Sequence, residues 1–199
     1  MAVLVSGAGS NLQALLDAVR SDPDFGAEVV GVIADNPDAG GLRKAEAAGV
    51  DTLVVRWEEY ASREDFTGAI VAGAKVFRAD ALILAGFMRV LSREAVSTYP
   101  ILNIHPALCP AFPGARAVEE ALAYGVKTTG VTVHFVDEFV DHGPIIAQEA
   151  VDVEPDDTAQ SLHERIRKVE HRLYPEVIRA FAKGRLRLDG RVVHWRADD

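Results

Sequence analysis

The sequence predicts an α/β fold in which a doubly wound, mostly parallel sheet has an antiparallel C-terminal part. Short apolar runs alternate with segments of helical periodicity up to about residue 105, an order typical of right-handed βαβ units. Most of these runs are apolar on both faces, as the buried strands of parallel sheets are. After Pro113 the alternation ends, and we expect the two strand-like runs that follow to pair as antiparallel neighbours.

The alternating part of the chain is predicted to contain five strands and four helices. The strands occupy residues 2–5, 28–34, 51–55, 81–85 and 101–105. The helices occupy residues 11–19, 42–48, 62–77 and 92–98. Ser62 and Ser92 are expected N-caps, because a serine hydroxyl can accept a hydrogen bond from an N–H of the first helical turn.

The rest of the chain combines strands with helices in a different order. A helix is predicted at residues 117–124, strands at 129–135 and 145–153, and a long helix at about 158–183. Residues 185–195 are predicted to form a hairpin with Asp189-Gly190 at its turn. The sequence shows no internal repeat, low-complexity tract or linker, so we predict a single domain over residues 1–199.

The composition narrows the classes of partner. A formal net charge of −9 without a strong basic cluster disfavours tRNA or any other nucleic acid. No run approaches the ~20 apolar residues needed to span a bilayer, and the first residues lack a signal peptide. We therefore expect a cytoplasmic protein with no membrane partner. Cys109 is the single cysteine, which excludes an internal disulfide and a cysteine-based zinc site.

A loop with two glycines, Ser-Gly-Ala-Gly-Ser-Asn, leads from the first strand into the first helix. Gly9 allows the backbone to approach a ligand closely, and the helix start at Ser10 and Asn11 offers N–H donors to a phosphate. Leu12 stands where a dinucleotide fingerprint needs its third glycine, yet Asp35 occupies the place of a ribose-binding acid. Three interpretations of this loop therefore stay open: a phosphate site, a nicotinamide-cofactor site and a tight turn that binds no ligand.

Asn103, His105 and Asp141 form a candidate catalytic trio. Alternation along the fifth strand places Asn103 and His105 on one face, and the fold can bring Asp141 to the ring. When an amine attacks a formyl carbon, Asn103 can donate to the developing oxyanion. His105 can donate a second hydrogen bond or move a proton, and Asp141 can hold the ring and favour its protonated form. The trio therefore suggests acyl or formyl transfer.

Simpler roles stay open for these residues and for others. Each member of the trio can instead bond only to local backbone or cap a turn. Cys109 can act as a nucleophile with His105 as its base, although a small packed hydrophobe is its commoner role. His134 lies inside a predicted strand and is interpreted as a buried, hydrogen-bonded residue. Glu170 and His171, on the long helix, are expected to face solvent.

Seven short motifs span nearly the whole chain. They are SGAGSNLQ at 6–13, LAGFMRVL at 84–91, LNIHP at 102–106, FPG at 112–114, GVTVHF at 130–135, DHGP at 141–144 and EHRLYP at 170–175. As an ordered set they resemble the phosphoribosylglycinamide formyltransferases, a folate-dependent family of purine synthesis. The resemblance implies a Rossmann-like formyltransferase fold.

The same resemblance implies a role for each matching position. Asn103, His105 and Asp141 match the catalytic residues. The substrate-binding positions are Gly9, Ser10, Asn11 and Glu170. Arg167 stands where family members often have another polar residue, and it is a further candidate for a phosphate or ribose contact. The positions around the folate are Arg63, Met88, Arg89, Val90, Leu91, Asn103, Asp137, Glu138, Phe139, Val140 and Asp141. The phosphate-binding half is expected at about residues 1–100, and the folate-binding and catalytic half at about 101–199.

The implied reaction is formyl transfer from 10-formyltetrahydrofolate, a co-substrate, to the amine of 5-phosphoribosylglycinamide, without a metal. The expected partners are small molecules only, and the protein is expected to be a monomer or a homodimer. A formyltetrahydrofolate hydrolase, a methionyl-tRNA formyltransferase and a non-catalytic nucleotide-binding domain are the alternatives. We expect neither the N-terminal regulatory domain of the hydrolases nor the C-terminal domain of the tRNA enzymes, because the chain begins at the first strand and ends near Trp195.

Overall fold

The computed structural model describes residues 1–196. The strands of its main sheet are β1 (Ala2–Val5), β2 (Gly31–Ala34), β3 (Thr52–Val54), β4 (Leu82–Leu84), β5 (Ile101–His105), β6 (Thr128–Phe135) and β7 (Ile145–Asp152). A second sheet pairs β8 (Leu186–Asp189) with β9 (Val192–Trp195). The strand order of the main sheet is β3-β2-β1-β4-β5-β6-β7.

Six α-helices connect these strands within the described residues. They are α1 (Ser10–Ser21), α2 (Gly40–Ala47), α3 (Arg63–Val76), α4 (Arg93–Thr98), α5 (Ala117–Tyr124) and α6 (Ala159–Ala182). A short 3-10 helix, Trp57–Glu59, was not predicted, because three residues are too few to show a helical period.

Strand directions confirm the predicted α/β fold. β1 pairs in parallel with both β2 and β4, and β2 pairs in parallel with β3, whereas β6 and β7 are antiparallel. The chain winds outward from β1 to β3 and then returns to β4 on the other side of β1. This reversal is a topological switch point, and ligands of open α/β sheets bind beyond the carboxyl ends of the strands there. The segments that follow β1 and β4 are therefore placed for binding.

The chain divides into two compact units, Met1–Leu102 and a second unit that begins at Asn103. In the first unit every side chain of β1 is buried, and Phe66 of α3 is fully buried as well. The Phe66 ring meets Trp57 edge-on at 5.1 Å between centroids and stacks on Phe87 at 6.3 Å. An aromatic cluster thus joins α3 to the 3-10 helix and to the segment after β4.

In the second unit α6 packs its apolar face against β6 and β7. Tyr174, on that face, is 1% exposed. The helix begins with a reciprocal capping box, in which Thr158 and Ser161 each accept the backbone N–H of the other. Within residues 1–196, no helix combines the length and the apolar character needed to cross a membrane.

Observed boundaries differ from the predicted ones by at most three residues. Ser62 caps α3 by accepting the N–H of Asp65 at 3.0 Å, as predicted. Ser92 precedes α4 but makes no capping bond through its side chain; its own N–H donates to Thr67 Oγ1 at 3.0 Å. The hairpin turn lies one residue later than predicted, because Asp189 still pairs with Val192 in the ladder. Local hydrophobicity does not mark where ladder hydrogen bonds stop.

We expect Phe66→Ala to lower the free energy of unfolding by about 3–5 kcal/mol, because the substitution removes a fully buried ring and leaves a cavity. Val76→Ala, on the same helix and 80% exposed, is the matched control and should change it by less than about 0.5 kcal/mol. Urea titration of the three proteins measures both effects. Equal losses in the two variants would contradict this packing of α3.

Candidate active site

The loop after β1 makes a tight turn in the first unit. We call residues 6–11 the glycine loop. Gly9 is the N-cap of α1 and has φ 71°, a left-handed conformation that favours glycine. A β-carbon on Gly9 would lie 2.6 Å from Gly41 Cα, so the loop tolerates no side chain there. Ser10 and Asn11 occupy the first turn of α1, where backbone N–H groups have no acceptor within the helix.

The glycine loop is bonded to the segment that follows β4. Ser6 donates its N–H to Gly86 O at 3.0 Å, and its hydroxyl accepts the N–H of Met88 at 2.9 Å. The side chain of Asn36 donates to Ser6 O at 2.8 Å. In this segment Met88 and Val90 are exposed, whereas Leu91 is 5% exposed and packs inward. Both sides of the switch point are thus held together by Ser6.

A buried ion pair lies beside this segment. Asp35, at the end of β2, has a side chain 2% exposed and accepts a hydrogen bond from Arg89 Nε at 2.7 Å. The guanidinium lies 5.4 Å from the ring centroid of Trp57, and one of its terminal nitrogens is 3.9 Å from Glu58. Because Arg89 occupies the Asp35 carboxylate, that group is not available to a ribose, which disfavours a nicotinamide cofactor. Arg63, at the start of α3, is half exposed.

In the second unit the trio predicted from the sequence comes together. Asn103 and His105 lie on β5, and Asp141 approaches both from the loop between β6 and β7. Asp141 Oδ2 is 3.3 Å from His105 Nδ1, and Asp141 Oδ1 accepts a hydrogen bond from Asn103 Nδ2 at 3.2 Å. His105 is 4% exposed. A hydrogen bond thus joins the amide to the carboxylate, and an ion-pair contact joins the imidazole to it.

Both ring nitrogens of His105 face groups that only accept. Nδ1 faces the Asp141 carboxylate, and Nε2 lies 2.8 Å from the backbone oxygen of Phe112. A neutral imidazole has one N–H, so it can donate to one of these two acceptors. The imidazolium donates to both. Both acceptors are therefore used only when both ring nitrogens carry a hydrogen.

Asp141 is held in an unusual backbone conformation. Its φ is 49°, in the left-handed region that non-glycine residues rarely adopt, and its Oδ2 accepts the N–H of Gly114 at 2.7 Å. Burial alone raises the pKa of Asp141, but the nearby His134 ring, the hydrogen bond from the Gly114 N–H and the charge on His105 outweigh it. The net pKa lies below the ordinary value, so this carboxyl is ionised at neutral pH.

His134 is a member of the site that sequence reasoning did not assign to it. The prediction of a buried, hydrogen-bonded residue is correct: Nδ1 donates to Phe135 O at 2.8 Å, which leaves Nε2 as the acceptor of Asn103 Nδ2 at 3.1 Å. Its Nε2 is 3.6 Å from Asp141 Oδ1, longer than a hydrogen bond. His134 thus orients the Asn103 amide. The sequence feature that could have indicated this role is the position of His134, two residues after Thr132 and on the same face of β6. In the structure His134 lies next to a bulge after Val133.

The loop before Asp141 combines a charged pair with exposed apolar side chains. His142 Nδ1 lies 2.7 Å from Asp137 Oδ2, and the Phe139 N–H donates to Asp137 Oδ1. Burial raises the pKa of Asp137, but the bonds from His142 and Phe139 outweigh that effect and leave its pKa below the usual value. Phe139 and Val140 are 67% and 49% exposed. Phe139 and Val140 thus give this loop an exposed apolar surface, and they directly precede Asp141 of the trio in the sequence.

On α6 the structure corrects one expectation. Glu170 was expected to face solvent but is 5% exposed, because it lies on the packed face of the helix. His171, the next residue along the helix, is half-buried. Arg167 stands one turn before Glu170 and is half-buried. The pKa of His163 is lowered mainly by its own burial and further by the charge of Arg167.

A nucleophilic role for Cys109 loses support from its surroundings. Cys109 is buried, and burial raises the pKa of its thiol, which disfavours the thiolate that a nucleophile needs. Its N–H donates to Thr132 Oγ1 at 3.0 Å, so the residue serves the packing between the loop after β5 and β6. Across residues 1–196, no group of three or more histidine, cysteine, aspartate or glutamate side chains is arranged to hold a metal.

Comparison with known proteins adds family information to this geometry. A family profile described as "Formyl transferase" matches residues 1–178. The phosphoribosylglycinamide formyltransferase of Mycobacterium tuberculosis is 43% identical over 193 residues, which cover 96% of this chain and 88% of that protein. The trifunctional purine biosynthetic protein adenosine-3 of Bos taurus is 45% identical over 203 residues. That alignment covers 100% of this chain, which spans only 20% of the bovine protein.

Solved structures agree with the sequence relatives. The chain superimposes on glycinamide ribonucleotide transformylase 1 from Symbiobacterium toebii with a TM-score of 0.95 and 47% identity, over 98% of this chain and 93% of that one. For the phosphoribosylglycinamide formyltransferase of Coxiella burnetii the TM-score is 0.90 at 38% identity, over 98% and 92% of the two chains. At 47% and 38% identity, these two structures resemble this chain in sequence as well as in fold.

We expect Asp141→Asn to weaken the dependence of stability on acid pH. The folded-state pKa of Asp141 lies below its unfolded value, so its contribution is present above about pH 4 and is lost as pH falls through the lower folded pKa. At pH 7 the variant should lose about 1–3 kcal/mol of unfolding free energy through weakened charged hydrogen bonds.

Urea unfolding between pH 2 and pH 7 measures this difference. Asp189→Asn, whose side chain is 66% exposed in the hairpin, is the control and should follow the wild type. Parallel pH curves for wild type and Asp141→Asn would show that the site contributes no acid-sensitive stability.

Proposed function

This chain belongs to the formyl transferase family, and we propose that it transfers the formyl group of 10-formyltetrahydrofolate to the primary amine of 5-phosphoribosylglycinamide. This reaction is a step of de novo purine synthesis. The observation that carries the proposal is the His105 ring, which lies between the backbone oxygen of Phe112, 2.8 Å from Nε2, and the Asp141 carboxylate, 3.3 Å from Nδ1. A cationic donor held in this way suits a reaction that builds negative charge on a carbonyl oxygen.

The first step is attack by the amine on the formyl carbon, which turns the carbonyl oxygen into an oxyanion. In the free chain the Nε2–H of His105 donates to Phe112 O. An oxyanion is a stronger acceptor than a neutral amide oxygen, so this N–H turns to the substrate as charge develops. Asp141 holds the other ring nitrogen and keeps a negative charge beside the imidazolium.

Asn103 supplies the second donor. Both hydrogens of its amide are engaged in the free chain, one with His134 Nε2 and one with Asp141 Oδ1. One of these bonds is exchanged for a bond to the oxyanion, which is a stronger acceptor because it is charged. A single donor of this kind is worth about 2.7–4 kcal/mol in the transition state.

Collapse of the tetrahedral species completes the transfer. The attack has already formed the C–N bond between the glycinamide nitrogen and the formyl carbon, and the bond from that carbon to N10 of the folate now breaks. The attacking nitrogen loses one proton and N10 gains one, by way of water near the ionised Asp141. The atoms and charges balance without a metal, a redox partner or a covalent enzyme intermediate.

Residues that bind the nucleotide are proposed in each unit separately. In the first unit, Gly9, Ser10 and Asn11 offer N–H donors at the start of α1 to the phosphate. In the second unit, the buried carboxylate of Glu170 contacts the glycinamide end, and Arg167 contributes a further polar contact.

The folate is proposed to use one polar and one apolar set of side chains. Arg89 and Arg63 suit its carboxylates, with Met88, Val90 and Leu91 alongside. Residues 137–141 lie beside the pterin, where the exposed Phe139 and Val140 provide apolar contact. A cytoplasmic location and a monomeric or homodimeric state remain predictions.

The experiment that tests the function follows deformylation of 10-formyltetrahydrofolate by absorbance, with and without 5-phosphoribosylglycinamide. Loss of the formyl group that requires the amine, with formylated product, supports the transferase. Loss without the amine indicates a hydrolase, and binding of nucleotide without any loss indicates a non-catalytic domain. Either of these two outcomes would end the proposal.

In that assay, His105→Ala should lower kcat by about 10²–10⁴-fold, because both the oxyanion donor and the proton-handling group are removed. The matched control is His194→Ala, which removes an exposed histidine from the β9 hairpin strand. It should retain wild-type activity. Near-full activity of His105→Ala, with an unchanged melting temperature in both variants, would refute the assigned role.

Asp35→Asn should raise KM for the formyl folate about tenfold while kcat stays within about threefold. Loss of the carboxylate releases Arg89 from the geometry in which it meets the folate carboxylate, without touching the trio. Glu58→Gln, 71% exposed and 3.9 Å from the same guanidinium, is the control and should leave KM unchanged. Steady-state kinetics with varied concentrations of the formyl folate measures both KM values. An unchanged KM in Asp35→Asn would show that Asp35 does not position Arg89 for folate binding.

A further inference from the structure

We propose that Lys44, on α2, is a binding residue for the phosphate of the nucleotide substrate. It adds a full positive charge to a site otherwise made of neutral N–H groups. The inference rests on the proposed function of the glycine loop as the phosphate site and deepens it. Three features support it: the contact between α2 and the loop, the course of the lysine stem and the absence of a partner for its charge among the described residues.

The start of α2 lies directly against the glycine loop. The N–H of Gly41 donates to Gly7 O at 3.1 Å. A β-carbon on Gly9 would meet Gly41 Cα at 2.6 Å, and one on Gly40 would meet Ala8 Cα at 3.2 Å. Backbone thus packs on backbone, and the glycines make this approach possible.

Lys44 follows Gly40 by four residues and Gly41 by three, so it lies on the same face of α2. Helical side chains point back toward the N-terminus of their helix. Because Gly40 and Gly41 carry no side chain, the stem of Lys44 can run over them toward the loop. Its Cδ would lie 3.4 Å from a β-carbon placed on Gly9. The ammonium nitrogen, two bonds further on, is within reach of a ligand at the start of α1.

The charge of Lys44 has no counter-ion in the part of the chain that the structure describes. The side chain is half-buried, and it forms no ion pair or hydrogen bond with any residue from 1 to 196. The buried acid near the loop, Asp35, is already paired with Arg89. A cation in the last turn of α2 interacts favourably with the helix dipole, but this does not explain why its stem lies on the glycine loop.

A phosphate monoester fits this arrangement chemically. At neutral pH it carries between one and two negative charges. The first turn of α1 supplies neutral donors and a partial charge, and a flexible ammonium supplies the compensating full charge from the side. We therefore expect Lys44 to recognise the phosphate and to have no part in the chemistry at the amine.

The test compares Lys44→Gln with Arg43→Gln, which removes the same charge from the neighbouring, exposed position of α2. Two substrates are used, 5-phosphoribosylglycinamide and the phosphate-free glycinamide riboside. In Lys44→Gln, KM for the nucleotide should rise about tenfold or more and depend less on ionic strength. KM for the riboside, KM for the folate and kcat should stay within about twofold. Arg43→Gln should match the wild type throughout.

Two results would overturn the proposal: equal effects of the two substitutions, or an equal rise of KM for nucleotide and riboside in Lys44→Gln. Calorimetry with inorganic phosphate distinguishes a wrong assignment of Lys44 from a failure of the proposed function. If the wild type shows no formyl transfer, tighter binding of phosphate by wild type than by Lys44→Gln still supports the assignment of Lys44. Equal binding, or no binding to either, refutes it.

Discussion

The second unit depends on one buried carboxylate. Asp141 is bonded to the Gly114 N–H and to Asn103, and it faces the rings of His105 and His134. These groups come from β5, β6 and the turn after β5, so a single side chain fixes the mutual position of three segments. A desolvated charge without such partners would be costly, and two of the partners here, Asn103 and His105, are also groups that the proposed reaction uses.

The first unit uses the same physical device. Asp35, buried at the end of β2, fixes the guanidinium of Arg89 as Asp141 fixes the imidazole of His105. In each case an acid that is shielded from water orients a cation toward a place where negative charge is expected. Groups oriented before the substrate arrives need no reorganisation during the reaction, which is the main source of electrostatic catalysis and of selective anion binding.

Backbone contacts complete this arrangement. Ser6 bonds the glycine loop to the segment after β4, and Gly9 allows the loop to pack on the first turn of α2. This packing also brings the stem of Lys44 onto the loop. The switch point between β1 and β4 thus gathers three segments that are far apart in sequence, and the absence of side chains on the glycines allows their close approach.

The sequence alone determined the fold class, the order and approximate bounds of the α-helices and strands, and the candidate trio, because hydrophobic period and local motif chemistry act over short distances. It did not determine the burial of Glu170, the pairing of Asp35 with Arg89 or the orientation of Asn103 by His134. Those features depend on which residues from distant segments meet. Only tertiary packing, which balances the desolvation of each polar group against its partners, decides that.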